Sequence, residues 1–361
     1  MKALARSLAA VAATIALAAC GGDEAAQRED APQAPPGEYG ALKSYLLEHT
    51  ARLQADTGRM RADAEAYYGL AREANFDYGR LVRERGDEVQ AVVERLQGNF
   101  RRANPSYEEM EGVVAGVPEL ADYDVILDAG GDSSDPETAV PFNVRTPAGK
   151  TYRQPGNFFF LIESSTFGTE PRFAAKGAQP DLDGNGRTEF GEALPDADFL
   201  VAAARDFERN ARELDGAARR WTPKREDVFN ALVVMTPTMS EYFEAWKNSR
   251  FVAGDKATEK AFVATSRLSD IADILSGLEV VYASARPEME TASRAQADQT
   301  GRSLEELNAF AARLRDAEAG GRRFTPAQAE SLGTDAQEQA EGIAGQVSQA
   351  AGKLGIKLEE S

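Results

Sequence analysis

The chain has 361 residues, of which 59 are acidic and 41 are lysine or arginine, so its formal charge at neutral pH is −18. This charge disfavours nucleic acid and anionic lipid surfaces as partners. With a single cysteine the chain forms no internal disulfide, so its stability depends on packing, helped by bound metal. The length is sufficient for two units that each bury a core.

The first 19 residues are predicted to be a secretory signal peptide, because Lys2 and Arg6 precede the short apolar run LAAVAATIALAA. The ending LAAC resembles a bacterial lipobox, which implies cleavage before Cys20 and lipidation of its sulfur. The lipid would then anchor the protein to a membrane of the bacterial cell envelope. The alternative is an ordinary secreted protein with one stray thiol. Gly21 after the cysteine favours the outer membrane if the source is Gram-negative.

The rest of the chain predicts an all-α protein made of two helical bundles with an irregular insert. Residues 20–39 are polar and rich in proline and glycine, and they predict a flexible tether. The first bundle is predicted over 40–128, the insert over 129–195 with a short hairpin near 140–152, and the second bundle over 196–355.

Local signals place the individual helices and their ends. Separate helices are predicted from residue 41, over 88–100, near 107–114, over 195–221, from Thr222 to an interruption at Pro237, and over 256–284, 303–319 and 325–354. The predicted N-terminal caps are Asp196 or Asp198, Thr222, Ser303 with Glu306, and Thr325 with Gln328.

Within the insert, the sequence DLDGNGRTEFGE at 181–192 has the spacing of an EF-hand calcium loop. Gly186 stands at the sixth position, where such a loop turns sharply, and Glu192 at the twelfth would be the bidentate ligand. No helix is predicted before the loop, because Gly177 and Pro180 interrupt it. The alternative is an acidic surface turn. The predicted calcium ligands are Asp181, Asp183, Asn185, Arg187 through its backbone carbonyl, Glu189 and Glu192.

Four stretches resemble the imelysin-like family. They are YYGLAREANFDY (67–78), YEEMEGVVAGVPELADYDVILDAG (107–130), PGNFFFLIESSTFGT (155–169) and PTMSEYFEAWKNSRFVAG (237–254). The family includes an insulin-cleaving peptidase and the lipoproteins of Efe-type iron uptake, and the likeness is stronger to the lipoprotein branch. The resemblance implies a two-bundle helical fold that binds iron outside the cytoplasm.

The family's Gly-x-His-x-x-Glu signature is degenerate in this chain. It matches residues 158–163, where phenylalanines replace the glycine and the histidine and Glu163 remains. The resemblance also implies metal-binding roles for Asp124 and Asp128, which match a spaced aspartate pair, and for Glu111. These four carboxylates could form an oxygen-only site for ferric iron, manganese or calcium. The alternative is that they are solvated surface acids.

The sequence argues against catalysis. A zinc peptidase site normally takes an imidazole ligand, and the only histidine, His49, lies on an apolar helical stripe where a structural role is expected. With Cys20 lipidated, no nucleophile has a histidine base beside it. Phenylalanines 158, 159, 160 and 167 are expected in the core. Lys247 and Arg250 could hold a carboxylate ligand or form internal ion pairs, and ion pairs are preferred.

Two functions therefore compete, and a peptidase is a distant third. The first is an envelope lipoprotein that binds iron or an iron chelate for uptake, with a transport partner in the envelope and calcium as a stabilising ion. The second is a calcium-stabilised, non-catalytic scaffold that acts through protein contacts.

Overall fold

The computed structural model describes residues 39–178, 180–182 and 185–358. The predicted signal peptide, Cys20, most of the tether and the loop residue Asp183 lie outside these ranges. The described residues fall within one compact unit. The division into two bundles at the predicted boundaries stays a prediction.

Helices dominate the described residues, and the only sheet among them has two strands. The α-helices are α1 (Gly40–Glu73), α2 (Tyr78–Val114), α3 (Ala121–Asp124), α4 (Phe158–Thr166), α5 (Ala197–Arg220), α6 (Arg225–Met235), α7 (Met239–Asn248), α8 (Arg250–Ala253), α9 (Arg267–Ala319) and α10 (Pro326–Leu354). A π-helix (Val125–Ala129) directly follows α3, and short 3-10 helices cover Pro171–Phe173, Thr236–Thr238 and Gly254–Lys256. The all-α class is confirmed.

The predicted hairpin is also confirmed. Strand β1 (Asn143–Arg145) pairs antiparallel with β2 (Thr151–Arg153), and Val144 lies opposite Tyr152. Val144 is buried, whereas its strand neighbours are exposed, which is the alternation expected of a strand with one face on the core.

Several helix ends lie where local chemistry predicts them. The Asp196 carboxylate accepts hydrogen bonds from the backbone N–H groups of Asp198 and Phe199 at the start of α5. Thr325 and Gln328 form the expected reciprocal cap of α10. Helix α6 ends at Met235, and a 3-10 turn containing Pro237 leads into α7, as the proline requires.

Other predicted boundaries are wrong, because packing keeps helices continuous through weak local signals. Pro105 lies inside α2, where Phe100, Tyr107 and Met110 continue one buried stripe on both sides of it. Helix α9 begins at Arg267 rather than at residue 256. Its backbone is non-helical at Ser293, inside the gap predicted between residues 284 and 303, and it is helical again through Ser303 to Ala319. Ser303 is therefore not a cap.

The cap of α6 is also displaced from the predicted Thr222. The N-cap residue is Lys224, whose backbone N–H donates to the Asp227 carboxylate at 3.1 Å. The same carboxylate accepts the indole N–H of the buried Trp221 at 3.0 Å. The added side-chain bond fixes the start of the helix two residues later than the threonine–proline pair suggests.

Helix α2 is central, because it packs against α1 on one side and α9 on another. The contact with α9 is close at Gly277, where an added Cβ would lie 2.1 Å from the carbonyl oxygen of Glu109. Helix α10 completes the packing against α7 and α9. Within the described ranges, none of the helices combines the length and apolar character needed to cross a membrane.

Candidate metal centre

A cavity of about 700 Å³ opens among α2, α3, the π-helix, α4, α7 and α9. The structure brings all four acidic residues singled out in the sequence to its wall: Glu111 from α2, Asp124 from α3, Asp128 from the π-helix and Glu163 from α4. The aromatic rings of Phe159 and Phe160 line it as well. A single concave site therefore collects acidic residues from three separate stretches of the chain, since α3 and the π-helix are continuous.

Three carboxylates converge most closely in and beside this cavity. Glu108, Glu111 and Asp128 each offer one oxygen, and these oxygens lie within 4.8 Å of one another. Glu108 was not predicted, although its spacing of three residues from Glu111 places both on one face of α2. Glu108 Oε1 and Glu111 Oε2 are buried and have no hydrogen-bond partner. Buried oxygens without donors are costly, and a bound cation would satisfy them.

The other two predicted residues lie outside this closest group, and hydrogen bonds hold both. Asp124 accepts the hydroxyl of Tyr107 at 2.6 Å. Glu163 Oε1 accepts the backbone N–H groups of Val263 and Ala264, each at 2.9 Å. Burial raises the pKa of Glu163 to about 8, although both backbone hydrogen bonds oppose the shift.

One buried cation faces the carboxylates. Arg267, at the start of α9, has its Nη1 3.3 Å from Glu108 Oε2 and 3.4 Å from Asp270 Oδ2. Its guanidinium also lies over the rings of Tyr242 and Phe262. Among the described residues that line the cavity, Arg267 is the only lysine or arginine. Neither Arg267 nor Asp270 was predicted.

The buried acids outnumber this one cation. Their pKa values are raised as a result. Burial, followed by the charge of Glu111, raises the pKa of Asp128 to about 7. Burial raises the pKa of Asp270 to about 6, with Arg267 limiting the shift. Burial and the charges of Asp270 and Asp128 also raise the pKa of Glu108. The site thus holds protons near neutral pH that a cation could replace.

Residues 162–347 match the family described as Imelysin, peptidase family M75, over just over half of the chain. The chain belongs to the imelysin family. The matched segment begins one residue before Glu163 and includes Arg267 and Asp270, whereas Glu108, Glu111 and Asp128 precede it. No curated protein is significantly similar to this chain.

The single histidine of the chain does not line the cavity. His49 is buried on α1, its Nδ1 lies 3.0 Å from Glu109 Oε2, and its ring is tilted against Tyr45. Burial lowers the pKa of His49 to about 4, so the ring is neutral at physiological pH. The described cavity therefore offers oxygen ligands and no imidazole.

In the predicted calcium loop, the first and last acidic residues accept hydrogen bonds from the loop's own backbone. The backbone N–H of Gly186, a residue with φ of +87°, donates to Asp181 Oδ2 at 2.7 Å. Glu192 is buried, and its two oxygens accept the N–H groups of Leu182 and Glu189 at 2.8 and 2.6 Å. Asn185, Arg187 and Glu189 are exposed. Calcium binding here stays a prediction, and Asp183 lies outside the described residues.

The two cations singled out near residue 250 behave differently. Lys247 forms ion pairs with Glu244 and Glu330, as predicted. The prediction that Arg250 forms an ion pair is wrong for the part of the chain that the structure describes. Arg250 instead donates from Nη1 to the carbonyl of Val263 at 3.1 Å and lies over the ring of Phe190 at 3.6 Å.

Proposed function

We propose that this imelysin-family protein is a binding protein for a hard, oxygen-preferring cation, with ferric iron or an iron chelate as the ligand. The observation that carries the proposal is the convergence of Glu108, Glu111 and Asp128 to within 4.8 Å, together with two buried oxygens that lack donors. Carboxylates suit ferric iron, manganese and calcium, and helical proteins build such sites from facing acidic side chains. The resemblance to Efe-type lipoproteins supports iron among these.

We place this function at the bacterial cell envelope, and at the outer membrane if the source is Gram-negative. Support comes from the signal-like residues 1–19 and from Cys20, which ends the lipobox-like sequence. A lipid on Cys20 would be the membrane anchor, and the bound iron would pass to a transport partner in the envelope. Calcium at residues 181–192 would stabilise the protein, a role supported by the hydrogen bond from Gly186 to Asp181.

We infer that the protein does not act as a peptidase, although its family is classed with the peptidases. The cavity lacks an imidazole ligand in its described wall, and His49 is neutral and buried elsewhere. A zinc ion bound here would therefore lack the histidine nitrogen ligands that usually hold a catalytic zinc and its activated water. Digestion of unfolded casein in the presence of zinc tests this inference, and cleavage by the wild type that Glu163→Gln abolishes would overturn it.

One observation favours the second candidate, a calcium-stabilised scaffold. Arg267 already pairs with Glu108 and Asp270, so the carboxylates have an internal counter-ion. Because Arg267 partly neutralises the buried carboxylates, a bound metal ion is less necessary for their stability. In that case the protein would act through protein contacts alone.

Equilibrium dialysis of the calcium-saturated full-length chain against ferric iron separates the two candidates. Glu111→Gln removes one ligand charge while its amide oxygen can still accept the hydroxyl of Tyr242, which Glu111 Oε1 accepts at 2.6 Å. Glu109→Gln is the matched control, because this residue lies on the same helix but faces His49. Stoichiometric iron in the wild type and the control, lost in Glu111→Gln, supports iron binding. No iron in the wild type refutes it and favours the scaffold.

A further inference from the structure

A second cavity, of about 530 Å³, is lined by three arginines and three phenylalanines. We call it the arginine cavity. Its arginines come from distant parts of the chain, namely α2, α8 and the link before α10. No acidic residue is among the described residues that line it. The six residues are Arg101, Arg250, Arg323, Phe190, Phe251 and Phe324.

None of the three guanidinium groups forms an ion pair with a carboxylate of the described residues, although Arg250 interacts with the charge of Glu163 behind the cavity wall. Within the described ranges, none of them has a carboxylate oxygen within 4.0 Å, although the chain contains 59 acidic residues. Surface arginines elsewhere often find one, as Arg205 does with Glu65 at 3.1 Å. Three cations gathered around one depression repel one another, so the arrangement is stabilised when an anion occupies it.

Aromatic rings hold two of the arginines in place without using their hydrogen-bond donors. Arg250 lies 3.6 Å from the ring centroid of Phe190, which stacks on Phe167 at 5.6 Å. Arg101 lies 4.8 Å from the centroid of the same Phe167. Because a guanidinium carries five N–H donors and Arg250 donates one bond to Val263, most donors remain for a ligand. Such preorganisation lowers the entropic cost of binding.

We propose that the arginine cavity binds a small organic anion that carries two or more carboxylate or phosphate groups. Guanidinium groups recognise both kinds of group through paired hydrogen bonds, and the phenylalanine faces would cover the carbon skeleton of the ligand. A protein with a net charge of −18 repels anions in general, so binding depends on these local charges. The site is independent of the cation proposed above.

The arginine cavity and the carboxylate cavity share one wall. Val263 donates its N–H to Glu163 on one side and accepts the bond from Arg250 on the other. Val263 and Ala264 line the arginine cavity, and Phe262 lines the carboxylate cavity. The two cavities therefore present opposite charges on either side of a single strip of backbone.

Isothermal titration calorimetry on the full-length chain tests the proposal. The chain is first freed of metal on a chelating resin, and citrate and inorganic pyrophosphate are titrated separately at fixed ionic strength. We expect one equivalent of at least one probe to bind. Arg101→Gln and Arg323→Gln should each weaken that binding by about tenfold, because each removes charge-assisted hydrogen bonds. Binding of citrate alone identifies a ligand with carboxylate groups, and binding of pyrophosphate alone identifies a ligand with phosphate groups.

Arg313→Gln is the matched control, since Arg313 is also exposed, makes no ion pair with a described residue and lies outside the cavity. It should bind the probes as the wild type does. The three substituted residues, Arg101, Arg313 and Arg323, are exposed, so circular dichroism should show unchanged folding in each variant. Failure of both probes to bind, or equal weakening in the Arg313 control, would overturn the proposal.

Discussion

Replacing Arg267 with methionine should reveal how much of the protein's stability depends on one buried charge. Arg267 is 4% exposed, and the side chains of Glu108 and Asp270, 3.3 and 3.4 Å away, are fully buried. Methionine keeps much of the apolar stem but leaves both acids without a counter-ion. Removing one partner of a buried ion pair costs about 3–5 kcal/mol, and we expect a loss of that size in the free energy of unfolding at pH 8.

The loss should shrink as the pH falls. The pKa values of Asp128 and Asp270 are already raised to about 7 and about 6 in the wild type, and removing Arg267 raises that of Asp270 further. An acid with a raised pKa binds more protons in the folded state, so its contribution to stability falls as the pH rises from about 4 through the folded pKa. At pH 5 Asp128 and Asp270 of the variant are protonated, so less uncompensated charge remains.

Urea denaturation followed by circular dichroism at pH 5 and pH 8 measures this difference. Arg205→Met is the control, because its ion pair with Glu65 is exposed and should contribute under about 1 kcal/mol at either pH. An equal loss for Arg267→Met at both pH values would refute the electrostatic explanation and would attribute the effect to packing.

Three further predictions concern stability. Asp227→Ala should lower the free energy of unfolding in urea by about 1–3 kcal/mol, because the buried indole N–H of Trp221 loses its acceptor. Phe199→Ala should lower it by about 3–5 kcal/mol in the same assay, because Phe199 is fully buried and stacks on Phe173 at 4.1 Å. Calcium at about 100 times its Kd should stabilise the wild type by about 2.7 kcal/mol, seen as a higher Tm, and should not stabilise Glu192→Gln.

Each of these predictions has a control on the same protein. Glu226→Ala changes an exposed acid next to Asp227, and Phe76→Ala removes a ring that is 39% exposed, so both should change stability by under about 0.5 kcal/mol. Glu213→Gln alters an exposed acid outside the loop and should keep the calcium response. A calcium response that survives in Glu192→Gln would show that the loop is not the binding site.

The sequence predicted those parts of the fold that depend on neighbouring residues. The cap at Thr325, the cap at Asp196 and the hairpin near Val144 are local, so their signals lie within a few positions. The continuity of α2 through Pro105 and of α9 through Ser303 depends on packing between distant helices. Propensity alone therefore divided α2 wrongly, and it placed the resumption of α9 at Ser303 although the helix resumes directly after the non-helical Ser293.

The candidate site was predictable to a similar degree. The resemblance to the imelysins pointed to Glu111, Asp124, Asp128 and Glu163, and all four line one cavity. Glu108 could have been added from its helical spacing to Glu111. Arg267 could not have been predicted in this way. It lies 159 residues from Glu108, its partner in the ion pair, and no local sequence pattern indicates such a distant contact.

The close packing at Gly277 has an electrostatic consequence. Where α9 meets α2, the Asn104 amide lies 2.6 Å from Asp270 and the Arg267 guanidinium 3.3 Å from Glu108. Both distances depend on the separation of the two helix axes, which a side chain at position 277 would increase. An uncharged residue thus helps to set the proton affinity of the acids around the cavity. A substitution at Gly277 would change only the packing directly, yet it would also alter the pKa values of the acids around the cavity.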